Sequence, residues 1–525
     1  MTRPIKTILY LIIILLSLNS CCKESPYINY LKLYMDTEPK SLDPAMSSDL
    51  TTGQKISFMY DNLVTFGRGA DIHPGIAKRW NISDDGKTYT FILHKNFNFW
   101  NGRSIRSQDV SYSFTRIMDR NTLSPMTWLF APVKGAREYL DGNASTITGF
   151  STPNDTTFII ELTNELSPFL GFLAMPAAGI VPREAVDDEA IDFGRHPLGS
   201  GPWIFEEWRP DNFVSLKKNG HYFYGPPKMD GIYIRTIHES LTASIEFESG
   251  NLDIFDVPTA EFDYWMHSKV WAPYTQSLDE LATYFIGLNV ERKPFDNPRI
   301  RLAAAMAIDR EKIIKQVMHG SVKIANGILP PGLPGYDSTA TPIPFNPDSS
   351  RQILIEEGYG DGCEFDLWAD QKSGVSQLLE AIQAYLNEAG FKCRIIRNDW
   401  NMMRDAMRQG STDAYWGNWW ADYADPENFM TPLFHSYQAA RRNRYSNPEV
   451  DRLIVKLQGA NQDSLKSKIA HQLDALLMKE VPYIFLWYPT TYTVQQANII
   501  GYERCLMPNA NRYLNTERTH GKNNK

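Results

Sequence analysis

The sequence lacks the patterns by which most enzymes carry their chemistry. It contains no HExxH zinc motif, no GxSxG nucleophile motif and no phosphate-binding P-loop. Its ten histidines are scattered, and none is spaced with cysteines or carboxylates as metal ligands are. The stretch GSGP at 199–202 is a turn sequence, and the acidic pair at 187–188 is explained by a solvated surface. We therefore predict a protein that is not an enzyme and needs no metal or cofactor.

Cysteine and basic charge are both scarce. The five cysteines include no CxxC pair, which excludes the common zinc and dithiol redox motifs. Lys and Arg number 53 against 61 Asp and Glu, for a net charge of −8, and no basic stripe stands out. Nucleic acid binds through clustered cations and is therefore not an expected partner. Cys363 and Cys393 both open strand-like runs and could form a disulfide outside the cytoplasm. The sequence leaves that pairing open.

Long apolar runs are absent except in the amino-terminal segment. Arg3 and Lys6 precede the apolar stretch 7–16, and a small residue precedes Cys21, which is the pattern of a secretory signal. The apolar stretch is too short for a comfortable membrane span. Its end, LNSC, resembles the bacterial lipobox. We predict that residues 1–20 are a lipoprotein signal peptide and that Cys21 is acylated. A plain signal peptide or an N-terminal membrane helix is the alternative.

Strand and helix patterns alternate along the rest of the chain. Residues 88–93 place Tyr89, Phe91 and Leu93 on one face, as a half-buried strand does. The dipeptide at 297–298, Asn-Pro, is a helix start. The apolar residues after it share one helical face, and Gly320 can end the helix.

A strand–helix–strand unit is predicted farther along. Its helix covers 376–390, between strand-like runs at 365–368 and 393–396. Parallel strands need such a crossover, and it should be right-handed. Further helices are predicted from 448 to about 459 and over 465–480. The fold class is α/β.

Several short blocks, taken in order, resemble the large solute-binding proteins of oligopeptide, dipeptide and nickel importers. The blocks are EPKSLDPA at 38–45, PGIA at 74–77, WNG at 100–102, PLGSGPW at 197–203, LN at 288–289, PFDN at 294–297, DR at 309–310 and WWADYADP at 419–426. They extend over nearly the whole chain. The chain is identified as a member of the bacterial extracellular solute-binding protein family 5, closest to its oligopeptide-binding members.

The resemblance implies a two-lobed periplasmic-binding-protein (Venus flytrap) fold with an additional domain on the first lobe. Lobe I would comprise residues 22–60, 187–283 and 491–525. The additional domain would be 61–186, and lobe II would be 284–490. Ligand would lie between the lobes and be enclosed by a hinge motion.

The resemblance also implies a set of ligand-binding residues. Asp422 aligns with the family's aspartate for a peptide ammonium, and Trp419 and Trp400 align with aromatic pocket walls. Tyr284 aligns with a cleft residue near the hinge. The full predicted set is Asp422, Trp419, Trp420, Ala421, Trp400, Trp416, Ser48, Asp49, Leu50, Tyr284, Met126, Arg404 and Arg408. Of these, Ser48, Asp49 and Leu50 align with the segment whose backbone pairs with the peptide.

The chain departs from the family at the positions that hold a ligand carboxylate. The arginine that serves tripeptides is replaced by Trp416. A second arginine aligns with Met407, although Arg408 is adjacent and Arg404 lies one turn earlier. A cleft tyrosine aligns with Met126. We interpret this as a kept ammonium site and a rebuilt carboxylate site, with a shifted preference for peptide length, an apolar peptide or a modified peptide.

A second departure concerns the hinge. Some relatives join this region by a cysteine pair, and the aligned positions here are Ala282 and Trp420.

These expectations together describe a lipid-anchored, monomeric receptor in the periplasm or at the cell surface. Its partners would be a short peptide and the permease and ATPase subunits of an ABC importer. Alternatives within the fold are a receptor for a nickel chelate, haem or a cell-wall peptide. A surface sensor or adhesin without transport is the alternative from another class.

Overall fold

The computed structural model describes residues 27–371 and 375–519. The predicted signal peptide and Cys21 lie outside the described residues. The strands are β1 (Tyr30–Met35), β2 (Val64–Phe66), β3 (Ile72–Pro74), β4 (Ala77–Ile82), β5 (Thr88–Leu93), β6 (Phe150–Asn154), β7 (Thr157–Glu161), β8 (Trp203–Arg209), β9 (Phe213–Lys218), β10 (Gly231–Thr236), β11 (Ile254–Asp256), β12 (Thr275–Asp279), β13 (Ala282–Leu288), β14 (Val322–Ile324), β15 (Cys363–Asp370), β16 (Phe391–Asn398), β17 (Ala414–Trp420), β18 (Tyr483–Gln495), β19 (Ile499–Ile500) and β20 (Glu517–Arg518).

The α-helices alternate with these strands. They are α1 (Leu50–Met59), α2 (Ser107–Met118), α3 (Ala136–Leu140), α4 (Phe169–Ala174), α5 (Arg183–Val186), α6 (Ser240–Glu248), α7 (Phe262–His267), α8 (Pro298–Ala307), α9 (Arg310–Gln316), α10 (Pro347–Glu356), α11 (Ser376–Glu388), α12 (Trp400–Gln409), α13 (Glu427–Phe434), α14 (Ser436–Ala439), α15 (Pro448–Gln458) and α16 (Asp463–Glu480). No helix of the described ranges is long and apolar enough to cross a membrane.

Three main sheets organise the chain into two lobes and an additional domain. The first lobe contains the sheet β1-β10-β9-β8, and the additional domain contains the antiparallel sheet β4-β5-β7-β6. The second lobe is built on β13, β17, β15 and β16, which belong to a larger sheet of order β11-β18-β13-β17-β15-β16. Helices cover these sheets, so each lobe has an apolar core of its own.

One long strand connects the two lobes. The first half of β18 pairs antiparallel with β13, and its second half pairs with β12 and β11. The predicted domain boundaries at 283–284 and 490–491 fall inside β13 and β18, and all the domain limits stay predictions. Because the backbone of β18 is continuous, the lobes are joined through strands that can bend rather than through a loose linker.

Local sequence patterns predicted several elements correctly. β5 buries Tyr89, Phe91 and Leu93 and leaves the alternate residues partly exposed. β15, α11 and β16 form the strand–helix–strand unit, with β15 and β16 parallel. The predicted helices at 448 and 465 are α15 and α16.

The helix predicted to begin at Pro298 is shorter than expected. It ends at Ala307, because Ile308 adopts an extended backbone with φ −98° and ψ 114°. Asp309 then starts α9 by accepting a hydrogen bond from the backbone N–H of Lys312 at 2.9 Å. Arg310, the next residue, is buried and donates to the carbonyl oxygen of Phe485 at 2.8 Å. The break thus turns an arginine towards the core, where a straight helix would not direct it.

Cys363 and Cys393 are both buried free thiols. In the register of β15 and β16, Cys363 faces Phe391 and Cys393 faces Phe365. The two cysteines are therefore staggered by two residues rather than paired. Burial raises the pKa of each thiol to about 12, so both stay protonated and unreactive.

An ion pair fixes the segment that leads into α1. Asp43 and Arg116 on α2 are both largely buried, and Arg116 Nη1 donates to Asp43 Oδ1 at 2.8 Å. Asp43 Oδ1 also accepts from the backbone N–H of Ala45 at 3.0 Å. The pair ties the first lobe to the additional domain a few residues before Ser48.

We predict that Arg116→Gln lowers the free energy of unfolding by about 3–5 kcal/mol, because it leaves the Asp43 carboxylate buried without a cation. The measurement is urea denaturation followed by tryptophan fluorescence. The matched control is Arg106→Gln, since Arg106 forms an exposed 3.7 Å ion pair with Asp155. Exposed pairs contribute about 0–1 kcal/mol. Equal losses in the two variants would contradict the structural role of the Asp43 pair.

Candidate functional site

A cavity of about 1070 Å³ lies between the second lobe and the additional domain. The additional domain contributes residues 125–138, 163–166 and Phe172, and the second lobe contributes residues between 419 and 458. Ser48 completes the wall from the first lobe. A narrow recess of about 40 Å³ is lined by Ser48, Met126 and Asp422 as well, so these residues face both spaces. The volume is at the upper end of that of small-molecule sites.

Asp422 lies in the loop that follows β17 and precedes α13. Asn428, which is buried on α13, accepts a hydrogen bond from the backbone N–H of Asp422 at 2.9 Å and from the Trp419 indole at 3.3 Å. The nearby Asn428 side chain favours the charged form of the Asp422 carboxyl and so acts to lower its pKa. Burial nevertheless raises the pKa of that carboxyl. No Lys, Arg or His of the described chain lies within 4.0 Å of it.

The neighbouring acids are satisfied by the protein itself. Asp425 is buried, and Lys466 Nζ donates to its Oδ2 at 2.5 Å. Glu427 is buried and accepts from the Tyr423 hydroxyl at 2.5 Å and the Gln458 amide at 3.0 Å. Burial raises the pKa of Glu427, which favours its neutral form. Asp422 therefore differs from both neighbours, because it has neither a cation, as Asp425 has, nor the two side-chain donors that hold Glu427.

Aromatic side chains form part of the cavity wall. Trp419 is half-buried, and the guanidinium carbon of Arg442 lies 4.9 Å from the centroid of its ring. Trp128 lies on the opposite side, on the additional domain, with its ring edge-on to Phe172 at 5.3 Å. These rings offer flat apolar surface near the Asp422 carboxylate.

The segment at 48–50 is exposed towards the cleft. Asp49 starts α1 by accepting a hydrogen bond from the backbone N–H of Thr52 at 2.8 Å. Within the described chain, the backbone N–H and C=O of Ser48 form no hydrogen bond. Leu50 reaches the narrow recess beside Asp422. The predicted residues Ser48, Asp49, Leu50, Met126, Trp419 and Asp422 are thus brought together around the two spaces.

Three other predicted residues pack elsewhere. Trp416 is buried in the core of the second lobe, 5.8 Å from the ring of Tyr284 and 5.7 Å from that of Trp487. Burial raises the pKa of the Tyr284 hydroxyl, and the nearby Trp420 side chain acts to lower it. None of Trp416, Tyr284 and Trp420 lines either space. Trp420 is nevertheless the direct partner of Ala282 across β13 and β17, which is the placement that a cross-strand cysteine pair would require.

The predicted residues on α12 also lie away from the cavity. Trp400, Arg404 and Arg408 are exposed, and Arg408 lies 3.5 Å from Asp405 on the same helix. Met407, between the two arginines, is buried in the core. Ala421, next to Asp422, is buried and donates its backbone N–H to the Leu281 carbonyl at 2.8 Å.

Sequence reasoning missed three residues that shape the site: Asn428, Trp128 and Arg442. Asn428 follows the WWADYADP block closely, and an amide at the start of a helix is a detectable signal. Arg442 has no such signal, because it reaches the Trp419 ring only after the chain has passed through α13 and α14. Among the residues that the model describes, no group of three His, Cys, Asp or Glu side chains could hold a metal ion.

Known proteins share this architecture. The haem-binding protein A of Haemophilus influenzae is 27% identical over 492 residues, covering 88% of each chain. The dipeptide-binding protein of Escherichia coli is 24% identical over 490 residues, covering 88% of this chain and 90% of the relative. A solved oligopeptide-binding protein of Borrelia burgdorferi superposes with a TM-score of 0.80 at 23% identity, covering 93% of this chain and all of the other.

A family model gives the same result. It matches residues 71–441, which cover most of the additional domain and most of the second lobe. The similar proteins share the two-lobed fold with its additional domain. The chain belongs to the bacterial extracellular solute-binding proteins, family 5.

Proposed function

We propose that this protein captures short peptides with a free amino terminus between its lobes and delivers them to an ABC importer. The observation that carries the proposal is the Asp422 carboxylate, which faces a large cavity without a cation from the described chain. A peptide ammonium is the ion that would complete this site. Binding and release involve no bond cleavage, so no catalytic residue is needed.

The energetics suit a receptor of moderate affinity. A hydrogen bond to a charged group contributes about 1.5–3 kcal/mol, and micromolar affinity corresponds to about 8 kcal/mol. One ammonium with two or three such bonds would supply a sizeable part of this total. The same site also discriminates, because a ligand without a cation would leave the Asp422 carboxylate enclosed and unpaired.

The backbone of the peptide has an edge to pair with. β15 pairs with β17 only at Ala414 and Tyr415. Beyond these residues, β17 runs on to Trp420 with β13 on its other side. Trp419 of this stretch lines the cavity, and an extended peptide added to a strand edge there would satisfy its own backbone groups whatever its side chains are. The unbonded backbone of Ser48 offers a second pairing site from the first lobe.

Closure of the lobes would strengthen these contacts. Hinge motion about β13 and β18 would bring the Ser48 segment and the additional domain against the Asp422 loop. Removing water lowers the local dielectric constant and makes the ammonium–carboxylate interaction stronger. The hinge therefore couples ligand binding to a shape that an importer can recognise.

Haem and metal chelates fit the site less well. Haem binds through flat apolar surface and carries two carboxylates, which a charged Asp422 would repel. The name of the Haemophilus influenzae relative keeps haem as the second ligand to test. A nickel chelate lacks the ammonium that the Asp422 carboxylate favours. A sensor or adhesin would use the same cleft, and only the presence of permease and ATPase subunits separates it from a transport receptor.

The anchor is part of the same proposal. Acylation of Cys21 after removal of residues 1–20 would tether a monomeric receptor to the membrane, facing the periplasm in a two-membrane bacterium and outward in a one-membrane bacterium. Mass spectrometry of the protein from membranes would detect the lipid on an amino-terminal cysteine. An unmodified mature amino terminus would contradict the anchor and leave the ligand site unaffected.

The charge at Asp422 should reduce the stability of the unliganded protein. Its folded pKa is raised above the unfolded value, so the stability present at low pH is lost as the pH rises through the folded pKa. We predict that Asp422→Asn raises the melting temperature at pH 7.5 by about 1–3 °C and changes it little at pH 4, since 1 kcal/mol corresponds to roughly 2–4 °C in a large protein. Differential scanning calorimetry of ligand-free protein measures this.

The control for that experiment is Asp425→Asn. It removes the partner of the largely buried Lys466 and should destabilise the protein by about 3–5 kcal/mol. The two substitutions are chemically identical and three residues apart, and we expect opposite signs. A loss of stability in both variants would mean that the Asp422 carboxylate is paired in the folded protein.

Peptides with a free amino terminus should bind to the protein, and acetylation of that terminus should weaken their binding. In thermal-shift assays, Ala-Phe, Ala-Phe-Ala and Ala-Phe-Ala-Phe are the probes, each free and N-acetylated. At 100 times Kd a ligand adds about 2.7 kcal/mol of stability. We expect acetylation or Asp422→Asn to weaken binding at least tenfold, and the two changes together to weaken it no further.

Affinity for the free peptides should also fall as the pH drops through the raised pKa of Asp422, because the protonated carboxyl no longer attracts an ammonium. Equal binding of free and acetylated peptides would contradict the proposal. Stabilisation by haem and by none of the peptides would replace it.

A further inference from the structure

Arg442 is a cation in the same cavity whose terminal groups have no protein partner. It is half-buried, and only its Nε donates a hydrogen bond, to the Pro432 carbonyl oxygen at 3.2 Å. Within the described ranges, no carboxylate lies within 4.0 Å of the guanidinium. Its two terminal nitrogens are therefore left for a ligand, and a guanidinium presents them in the geometry that a carboxylate accepts.

The neighbouring arginines are directed elsewhere. Arg441 is exposed and lies over the Tyr437 ring at 5.3 Å, outside the cavity. Arg444 donates to the backbone carbonyl oxygen of Arg408 at 2.6 Å. Of the three, only Arg442 lines the cavity. Packing on the Trp419 ring holds its guanidinium in place there.

The other cations of the cavity wall are less suited to an ion pair. Lys134 is exposed and lies 2.7 Å from Glu161. Arg137 is exposed as well. Solvent screens an exposed charge, so each would add little to the affinity for an anion. Arg442 is the cavity cation that is both partly buried and without an acid.

The Trp419 indole connects Asp422 with Arg442. Asn428 joins the Asp422 backbone to the Trp419 side chain, and Arg442 stacks on the same Trp419 ring. The cavity therefore holds an unpaired negative charge and an unpaired positive charge in fixed relation. A ligand with opposite charges at its two ends would neutralise both.

We propose that Arg442 binds the carboxy terminus of the ligand, so that the protein selects short peptides with both termini free. This inference rests on the proposed function and specifies its substrate class. It also gives a position for the carboxylate site that Trp416 and Met407 cannot provide, since both are buried among apolar side chains.

The test crosses changes in the ligand with changes in the protein. The ligands for isothermal titration calorimetry are Ala-Phe-Ala, its carboxy-terminal amide and its N-acetyl form. Each is titrated into the wild type, Arg442→Gln, Arg442→Lys and the matched control Arg441→Gln. For the wild type, we expect the amide to bind about 10–100-fold more weakly than the free peptide, as the loss of a charge-assisted pair implies.

Arg442→Gln should bind the free peptide as weakly as the wild type binds the amide and should show no further loss with the amide. Its preference for the free over the acetylated amino terminus should persist. Arg442→Lys keeps the charge without the fork of two nitrogens and should be intermediate. Arg441→Gln should match the wild type in every titration.

Two results would overturn the inference separately from the proposed function. If Arg442→Gln distinguishes the free acid from the amide as well as the wild type does, the ligand carboxylate binds elsewhere and the Asp422 site is unaffected. Arg442→Lys replaces Arg442→Gln in this comparison if the glutamine variant does not fold. If the wild type binds acid and amide equally, no carboxylate anchor exists. If no form of the peptide binds the wild type, both proposals fail.

Discussion

The unpaired carboxylate of Asp422 is the constraint around which the second lobe is arranged. A charge of this kind is unfavourable in a partly buried loop, and it is held there by a single amide, that of Asn428, at the start of α13. The adjacent acids show that the chain can neutralise such charges, since Asp425 has Lys466 and Glu427 has Tyr423 and Gln458. The proposed function rests on this contrast, with a ligand ammonium as the partner of Asp422.

The architecture makes this charge accessible in one state and enclosed in another. Asp422 lies just beyond the end of β17, which pairs with β13, and β13 pairs with β18, the strand that continues into the first lobe. Motion of the lobes is therefore transmitted through hydrogen-bonded strands to the loop that carries the acid. On the opposite wall, the Asp43–Arg116 pair fixes the segment that ends in Ser48.

Sequence patterns predicted what depends on local burial. Alternating apolar residues predicted β5, apolar residues on one helical face predicted α11, and the Asn-Pro dipeptide predicted the start of α8. Each of these patterns depends only on residues that are close together in the sequence. The end of α8 was wrong, because the turn at Ile308 is imposed by the contact of Arg310 with β18. The motif around Asp422 predicted a ligand-binding loop, and the structure places that loop at a cavity, while the binding role stays a prediction.

One physical explanation accounts for the two departures from the family, at Trp416 and Met407, and for the stacking of Arg442 on Trp419. Where the family resemblance implies arginines, this chain extends its apolar core, so Trp416 packs against Tyr284 and Trp487. A cation cannot be moved into that core without a partner. The proposed carboxylate site would then lie on the remaining polar wall, where Arg442 is the half-buried arginine with free donors. Because Arg442 stacks on Trp419 and Asn428 links Trp419 to the Asp422 backbone, the distance between the two charges, rather than the size of the cavity, would set the length of peptide that engages both. The remaining volume beside Trp128 would accommodate side chains with little discrimination.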